Sequence, residues 1–238
     1  MTSAISVAPL SPASMKPRSL DHYAARRRRM VDDFLVARGI TDQRVIEAMR
    51  RVPRHMFVDP ALADRAYDDY AAPIGNGQTI SQPYTVGFMT QLAGLKGDET
   101  VLEVGTGSGY QAAVLSRLAE KVFTIERINS LSNRARKIFN QLRVSNIVCL
   151  VGDGTLGAKK YAPYDVIIVT AGSPGIPVPL AKQLKDGGRM VVPVSDGDEQ
   201  KIHVVKRSGE RFVVTKKERC SFVPLVGEHG WKEKPAGY

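Results

Sequence analysis

Glu103-Val104-Gly105-Thr106-Gly107-Ser108-Gly109-Tyr110 decides the fold. An apolar run at 101–104, strand-sized, leads into it, and a helical pattern over 110–118 leads out. Glycines between a strand and a helix let the backbone turn sharply and approach a ligand closely. A dinucleotide fingerprint needs the spacing G-x-G-x-x-G, which puts glycine at position 110. That position is Tyr110, so the observed spacing is G-x-G-x-G, with Glu103 two residues before Gly105.

Working outward, the alternation continues. The spacing predicts strands at 121–125, 147–151, 166–169 and 190–194, with helices at 128–142 and 178–184 and Gly187-Gly188 stopping the second helix. Val166-Ile167-Ile168-Val169 is continuously apolar, as expected of a parallel strand covered on both faces. This order predicts an α/β fold: a doubly wound, mostly parallel sheet. Residues 201–207 and 211–217, joined by Ser208-Gly209-Glu210, add an antiparallel C-terminal edge. Upstream lies an N-terminal helical extension. One helix is expected at 23–37, with Met30, Phe34 and Ala37 inward and Gly39 as its stop. Another is expected at 41–51, capped by Thr41, with Ile40 and Val45 as its staple and Pro53 ending it. Residues 71–83 are rich in Gly and Pro and read as a long structured loop without regular elements. A helix follows Pro83, with Val86, Met89, Leu92 and Ala93 inward. The expected organisation is a disordered basic tail (1–22), helices with an active-site loop (23–98), a cofactor-binding core (99–195) and C-terminal strands with a cleft segment (196–238).

Composition narrows the function classes. With 43% hydrophobic and 24% charged residues, the chain has globular proportions. No run approaches the roughly 20 apolar residues a membrane span requires. No secretory signal is expected either, because Asp32 and Asp33 interrupt the chain after Arg26–Arg29. The net charge is +10. Residues 1–29 hold six basic side chains against Asp21, so half of the excess sits in the tail. Such a run suits a solvated helix start, a phosphate or an anionic membrane. Cys149 and Cys220 make no disulfide framework, and Cys149 reads as a packed thiol. His22, His55, His203 and His229 form no ligand-spaced pair, so no metal is expected. The expected compartment is the cytoplasm.

Ligands of doubly wound sheets lie beyond the carboxyl ends of the strands. Three such ends carry polar signals here. Gly105, Thr106, Gly107 and Gly109 form the first, with Glu103 before them. Glu126 is the second, 21 residues after Gly105, placed to accept two ribose hydroxyls. Gly152-Asp153-Gly154 is the third, with Asp153 able to accept from an adenine amine. Together they predict an adenosine cofactor. The glycine loop with its preceding acid resembles motif I of class I methyltransferases, which implies S-adenosyl-L-methionine, with S-adenosyl-L-homocysteine as product.

A second resemblance is more specific. Pro73-Ile74-Gly75-Asn76-Gly77-Gln78-Thr79-Ile80-Ser81-Gln82-Pro83 and Leu102–Tyr110 match the protein-L-isoaspartate O-methyltransferase family, as do Val151-Gly152-Asp153-Gly154 and Ala162-Pro163-Tyr164-Asp165. The likeness continues through Leu184-Lys185-Asp186-Gly187-Gly188-Arg189 and Phe222-Val223-Pro224-Leu225 and covers roughly residues 30–231. It implies methylation of isoaspartyl carboxylates in damaged proteins by a monomer. It also implies that Ser81 is the catalytic, substrate-contacting residue, with Thr79 and Ile80 beside the cofactor. By the same analogy Val226 and Trp231 border the substrate, Trp231 as an aromatic lid or as packing on the body. An ionised carboxylate needs no general base, so Ser81 would orient rather than attack. Two alternatives compete: a methyltransferase acting on RNA or a small molecule, and a non-catalytic binding module. Scattered aromatics (seven Phe, eight Tyr, one Trp) give no stacking platform for single strands, so no nucleic acid is expected.

Overall fold

The computed structural model describes residues 20–232. Its centre is a seven-stranded sheet. β3 (Thr100–Val104), β4 (Lys121–Glu126), β5 (Ile147–Val151), β6 (Tyr164–Val169) and β7 (Leu184–Asp196) run parallel, and β8 (Glu199–Ser208) and β9 (Arg211–Cys220) run antiparallel. The order is β5-β4-β3-β6-β7-β8-β9, so the winding reverses between β3 and β6. Alternate residues feed two cores. Val101, Val166 and Ile168 pack on one face beneath α2 (Gln43–Arg51), α3 (Pro83–Ala93), α4 (Tyr110–Leu115) and α5 (Asn129–Gln141). Leu102, Val104, Ile167 and Val169 pack on the other against α6 (Val178–Ala181) and Leu225. Val166, Ile167, Ile168 and Val169 are all buried, each contributing roughly 1.5–3 kcal/mol of transfer free energy. The predicted sheet and its antiparallel edge are thus present. Among the described residues no helix is long and apolar enough to cross a membrane.

Several elements differ from the sequence expectation, each for a local reason. The first helix, α1 (Leu20–Met30), continues as a π-type turn over Val31–Leu35 and a 3-10 turn over Val36–Arg38, and Gly39 ends it at φ +90°. The Val36 N–H bonds both Asp32 O and Val31 O, which rotates the chain so that Val31 and Leu35 turn inward and Ala37 outward. Asp42, not Thr41, caps α2, accepting from the N–H groups of Arg44 and Val45. Gly187-Gly188 does not stop a helix. α6 ends at Ala181, and residues 185–188 bulge from β7, because Tyr164 pairs with Leu184 while Val166 pairs with Arg189.

The stretch 71–83 is not a plain loop. Ala72–Gly75 (β1) and Gln78–Ile80 (β2) form an antiparallel hairpin. Asn76 and Gly77, at φ +52° and +67°, make its turn, as a primed two-residue hairpin demands. Cys149 lies half-buried on the edge strand β5 and Cys220 half-buried at the end of β9, and both thiols are free. Burial raises the pKa of each. Residues 1–19 of the expected tail lie outside the described residues.

Candidate active site

A cleft opens at the carboxyl ends of the parallel strands, where the order reverses. Val104 and the glycine loop form its floor, and Ile125, Glu126, Arg127 and Ile128 one side. Gly154, Thr170 and Ala171 continue the rim, while Thr79, Ile80 and Ser81 enter from the hairpin and Phe222–Val226 from the C-terminal segment. It is concave, open to solvent at its mouth, and lined by both apolar and polar groups, as ligand sites are. A second cleft adjoins it, lined by Arg38, Tyr84, Phe88, Glu218 and Cys220 among others. Thr79, Ser81, Thr85, Thr170, Phe222 and Val223 belong to both. They form a shared wall.

Glu126 ends β4 and is 6% exposed. Its Oε2 accepts from the Gly107 N–H and its Oε1 from the Ile128 N–H, both at 2.9 Å. One carboxylate thus ties the glycine loop to the start of the next segment while bordering the cleft. Ile125 and Ile128 flank it with apolar surface. A carboxylate acceptor for ribose hydroxyls, set between apolar walls that suit a base, is what an adenosine group requires, so the residues present fit that group. Gly105 lies so close to β6 that a Cβ there would meet Thr170 Oγ1 at 2.5 Å. The same hydroxyl donates to Val104 O at 3.0 Å and Gly105 O at 2.6 Å, fixing the loop's first turn.

The structure brings Thr79, Ile80, Ser81, Gly105, Thr106, Gly107, Glu126, Gly154 and Val226 together along one cleft. Four expected residues do not line it. Glu103 is 0% exposed, beneath the loop, because strand alternation turns it away from Val104's side. Its carboxyl accepts from Thr124 Oγ1, which in turn contacts Thr106 Oγ1 at 2.6 Å. Gly109 packs instead against α5: a Cβ there would stand 2.8 Å from Phe139 Cζ. Asp153 faces away. It accepts from the Thr155 N–H at 2.8 Å, the Thr155 hydroxyl at 2.6 Å and the Glu228 N–H at 2.7 Å. Burial opposes its ionisation, yet those bonds hold its carboxyl below the ordinary carboxylate range. Trp231 is a strut rather than a lid over the cleft. Its indole N–H donates to Gly172 O at 2.9 Å and its main-chain N–H to Leu225 O at 2.7 Å, closing a tight C-terminal turn.

Thr170 and Ala171 carry no motif, and only topology brings them to the cleft; Phe222 and Val223 lie in a stretch that resembles the family but had no expected site role. The one readable signal for Thr170 was its place directly after the buried run 166–169. Among the described residues no histidine lines either cleft. His55 stacks on Tyr23 with centroids 4.1 Å apart, and its Nδ1 bonds Tyr67 Oη at 2.7 Å.

Fold and site together define a Rossmann-like methyltransferase. The family model for protein-L-isoaspartate(D-aspartate) O-methyltransferase (PCMT) matches residues 25–230. Over 215 residues the chain is 53% identical to the protein-L-isoaspartate O-methyltransferase of Syntrophus aciditrophicus, covering 89% of this chain and 99% of that protein. It is likewise 53% identical over 213 residues to the Desulfotalea psychrophila protein of the same name, covering 90% and 100%. A solved protein-L-isoaspartate O-methyltransferase superposes with a TM-score of 0.77 at 29% identity, covering 85% of this chain and 67% of that one. The chain belongs to the protein-L-isoaspartate(D-aspartate) O-methyltransferase family.

Proposed function

We infer that this enzyme repairs proteins. It transfers a methyl group from S-adenosyl-L-methionine to the free α-carboxylate of L-isoaspartyl residues, giving a methyl ester and S-adenosyl-L-homocysteine. When bound, the cofactor supplies an electrophilic methyl group on a sulfonium. Glu126, Gly105, Thr106, Gly107, Gly154, Thr79 and Ile80 would hold it, with Glu103, Gly109 and Asp153 supporting the wall from behind. The acceptor carboxylate is already ionised at neutral pH, so the chain needs no base to create the nucleophile. Its task is alignment. Ser81 donates its hydroxyl to the carboxylate and fixes which oxygen faces the donor. Val226, Phe222 and Val223 narrow the wall and exclude water.

The observation that supports this reading is the shared wall: Ser81 borders both clefts, where donor and acceptor would meet. The free thiols of Cys149 and Cys220 suit the cytoplasm, and the reading includes a monomer with no nucleic-acid partner. The test is transfer of labelled methyl to a peptide with one isoaspartyl residue, against its aspartyl counterpart. Only the isoaspartyl peptide is expected to be labelled, with Ser81→Ala slower by about 100-fold, the scale set by lost alignment. Equal labelling of both peptides, or full activity of Ser81→Ala, would overturn the assignment.

A further inference from the structure

Arg54 is the largest fully buried side chain of the described residues, with 1% of it exposed. It opens the 3-10 turn Arg54–Phe57, after the proline that ends α2. Its Nε donates to Ala66 O and its Nη2 to Ser81 O, both at 2.7 Å. Its Cζ lies 4.8 Å from the centroid of the Tyr110 ring. Nη1 has no partner, and among the described residues Arg54 forms no ion pair. Asp69, whose charge favours the cation, gives its Oδ2 to Arg38 at 2.8 Å instead.

A buried cation held by neutral carbonyls costs more than an apolar side chain of the same size would. Stability therefore does not account for it. Burial lowers its pKa, yet a guanidinium remains protonated in proteins. Its planar, rigid fork is suited to fixing two acceptors at once. What it fixes here is specific. One acceptor is the carbonyl of Ser81, on the acceptor side of the shared wall. The ring beneath it belongs to Tyr110, the first residue of α4, immediately after the glycine loop on the donor side. Tyr110 is itself locked, edge-on to Phe57 at 5.6 Å and with its hydroxyl donating to Met49 Sδ at 3.6 Å.

We propose that Arg54 is a positioning residue for methyl transfer, a rigid spacer that sets the Ser81 peptide at a fixed distance from the cofactor loop. It touches neither reactant. It acts through Ser81, so the proposal rests on the reading of Ser81 given above. In-line transfer tolerates little misplacement, and a displacement near 1 Å can cost about 100-fold in rate. Lysine keeps the charge but cannot bridge Ala66 O and Ser81 O with one planar group.

The experiment uses full-length Arg54→Lys, Ser81→Ala and the double variant, with an isoaspartyl peptide as acceptor. Arg54→Lys is expected to lower kcat by at least about tenfold, while calorimetry shows S-adenosyl-L-methionine binding close to that of the parent. The double variant is expected to be no slower than the worse single variant, because both changes act on one alignment. Arg54→Lys with the kcat of the parent, beside an impaired Ser81→Ala, would overturn this proposal alone, as would additive losses in the double variant. Full activity of Ser81→Ala would overturn the reading beneath it. Should Arg54→Lys fail to fold, nitrogen-15 spectra of the parent protein decide. The Arg54 Nε–H signal is expected to shift when the peptide binds beside S-adenosyl-L-homocysteine and to stay still in Ser81→Ala. No shift in the parent would overturn the proposal.

Discussion

Replacing Glu103 by glutamine tests the structural role that burial gives it. The side chain is fully enclosed. One oxygen accepts from Thr124 Oγ1. Burial, with the nearby Glu126 charge adding to it, raises the pKa from the ordinary 4.5 to about 8, against the lowering effects of the Thr124 bond and the Ala112 N–H. The folded protein therefore keeps this proton up to about pH 8, whereas the unfolded chain releases it near 4.5. Between those values folding must take up a proton, so stability falls as pH rises through the window and the cost is complete above it. At about 1.36 kcal/mol per pH unit, the window amounts to about 5 kcal/mol. Glutamine is isosteric, neutral at every pH and able to bond Thr124. In the cofactor-free protein, Glu103→Gln should melt close to the parent at pH 5 and progressively above it towards pH 8. At roughly 2–4 °C per kcal/mol for a chain of this size, the curves should part by on the order of 10 °C. Circular dichroism melts at constant ionic strength read this directly, since all other titrating groups are common to both proteins. Parallel dependence of Tm on pH in the two proteins would refute the reasoning and leave Glu103 ionised in the fold.

Two further predictions concern the supports of the site. Gly109→Ala should destabilise the protein by about 1–3 kcal/mol in urea unfolding, because φ is +89° and the added methyl would press on Phe139 and on Ala135 at 3.0 Å; an unchanged midpoint would show that α5 yields freely. Asp153→Ala removes the acceptor of the Glu228 N–H and two bonds from Thr155. It should loosen the turn that carries Trp231, the only tryptophan in the chain, so the emission should shift to longer wavelength and acrylamide quenching should rise; unchanged emission would show that the Gly172 and Leu225 bonds suffice.

What the sequence revealed follows the range of the forces involved. The centre of the sheet was legible because β3 and β6 are buried apolar runs, while the exposed β9 was legible from the Ser208-Gly209-Glu210 turn before it. The hairpin was not. Ala72–Gly75 and Gln78–Ile80 are short and hold glycine and proline, and only Asn76-Gly77 marked the turn. The bulge at 185–188 is set by pairing with β6, which no local pattern encodes. In the site, Glu126 was readable because it stands where an apolar strand ends, whereas Ser81 was reached only through the resemblance of residues 73–83 to the family. Glu103 and Asp153 also stand near strand ends, but their side chains face away from the cleft. Reading an acid near a strand end as a ligand needs its facing direction, and that is decided by the register of the whole sheet. Arg54 gave no signal at all, since its partners lie 12 and 27 residues away along the chain.

The chemistry explains the character of the shared wall. Transfer of a methyl group from a sulfonium to a carboxylate starts from a cation and an anion and ends with both neutral. Charge is lost on the way to the transition state. A fixed cation against the carboxylate would hold the reactant more tightly than the transition state and so slow the step. Thr79, Ser81, Thr85, Thr170, Phe222 and Val223 carry no charge at all. The charged residues of the second cleft, Arg38, Glu218 and Arg219, lie off that wall. Arg38 stacks 3.6 Å over the Tyr84 ring and pairs with Asp69, the Tyr84 hydroxyl donates to Glu218, and Arg219 pairs with Glu199, so these charges are already engaged with other groups of the protein. Arg54 obeys the same rule from behind: its charge is turned to two carbonyls, and what reaches the acceptor is the position of Ser81. A neutral wall backed by a rigid cation aligns an anion without trapping it.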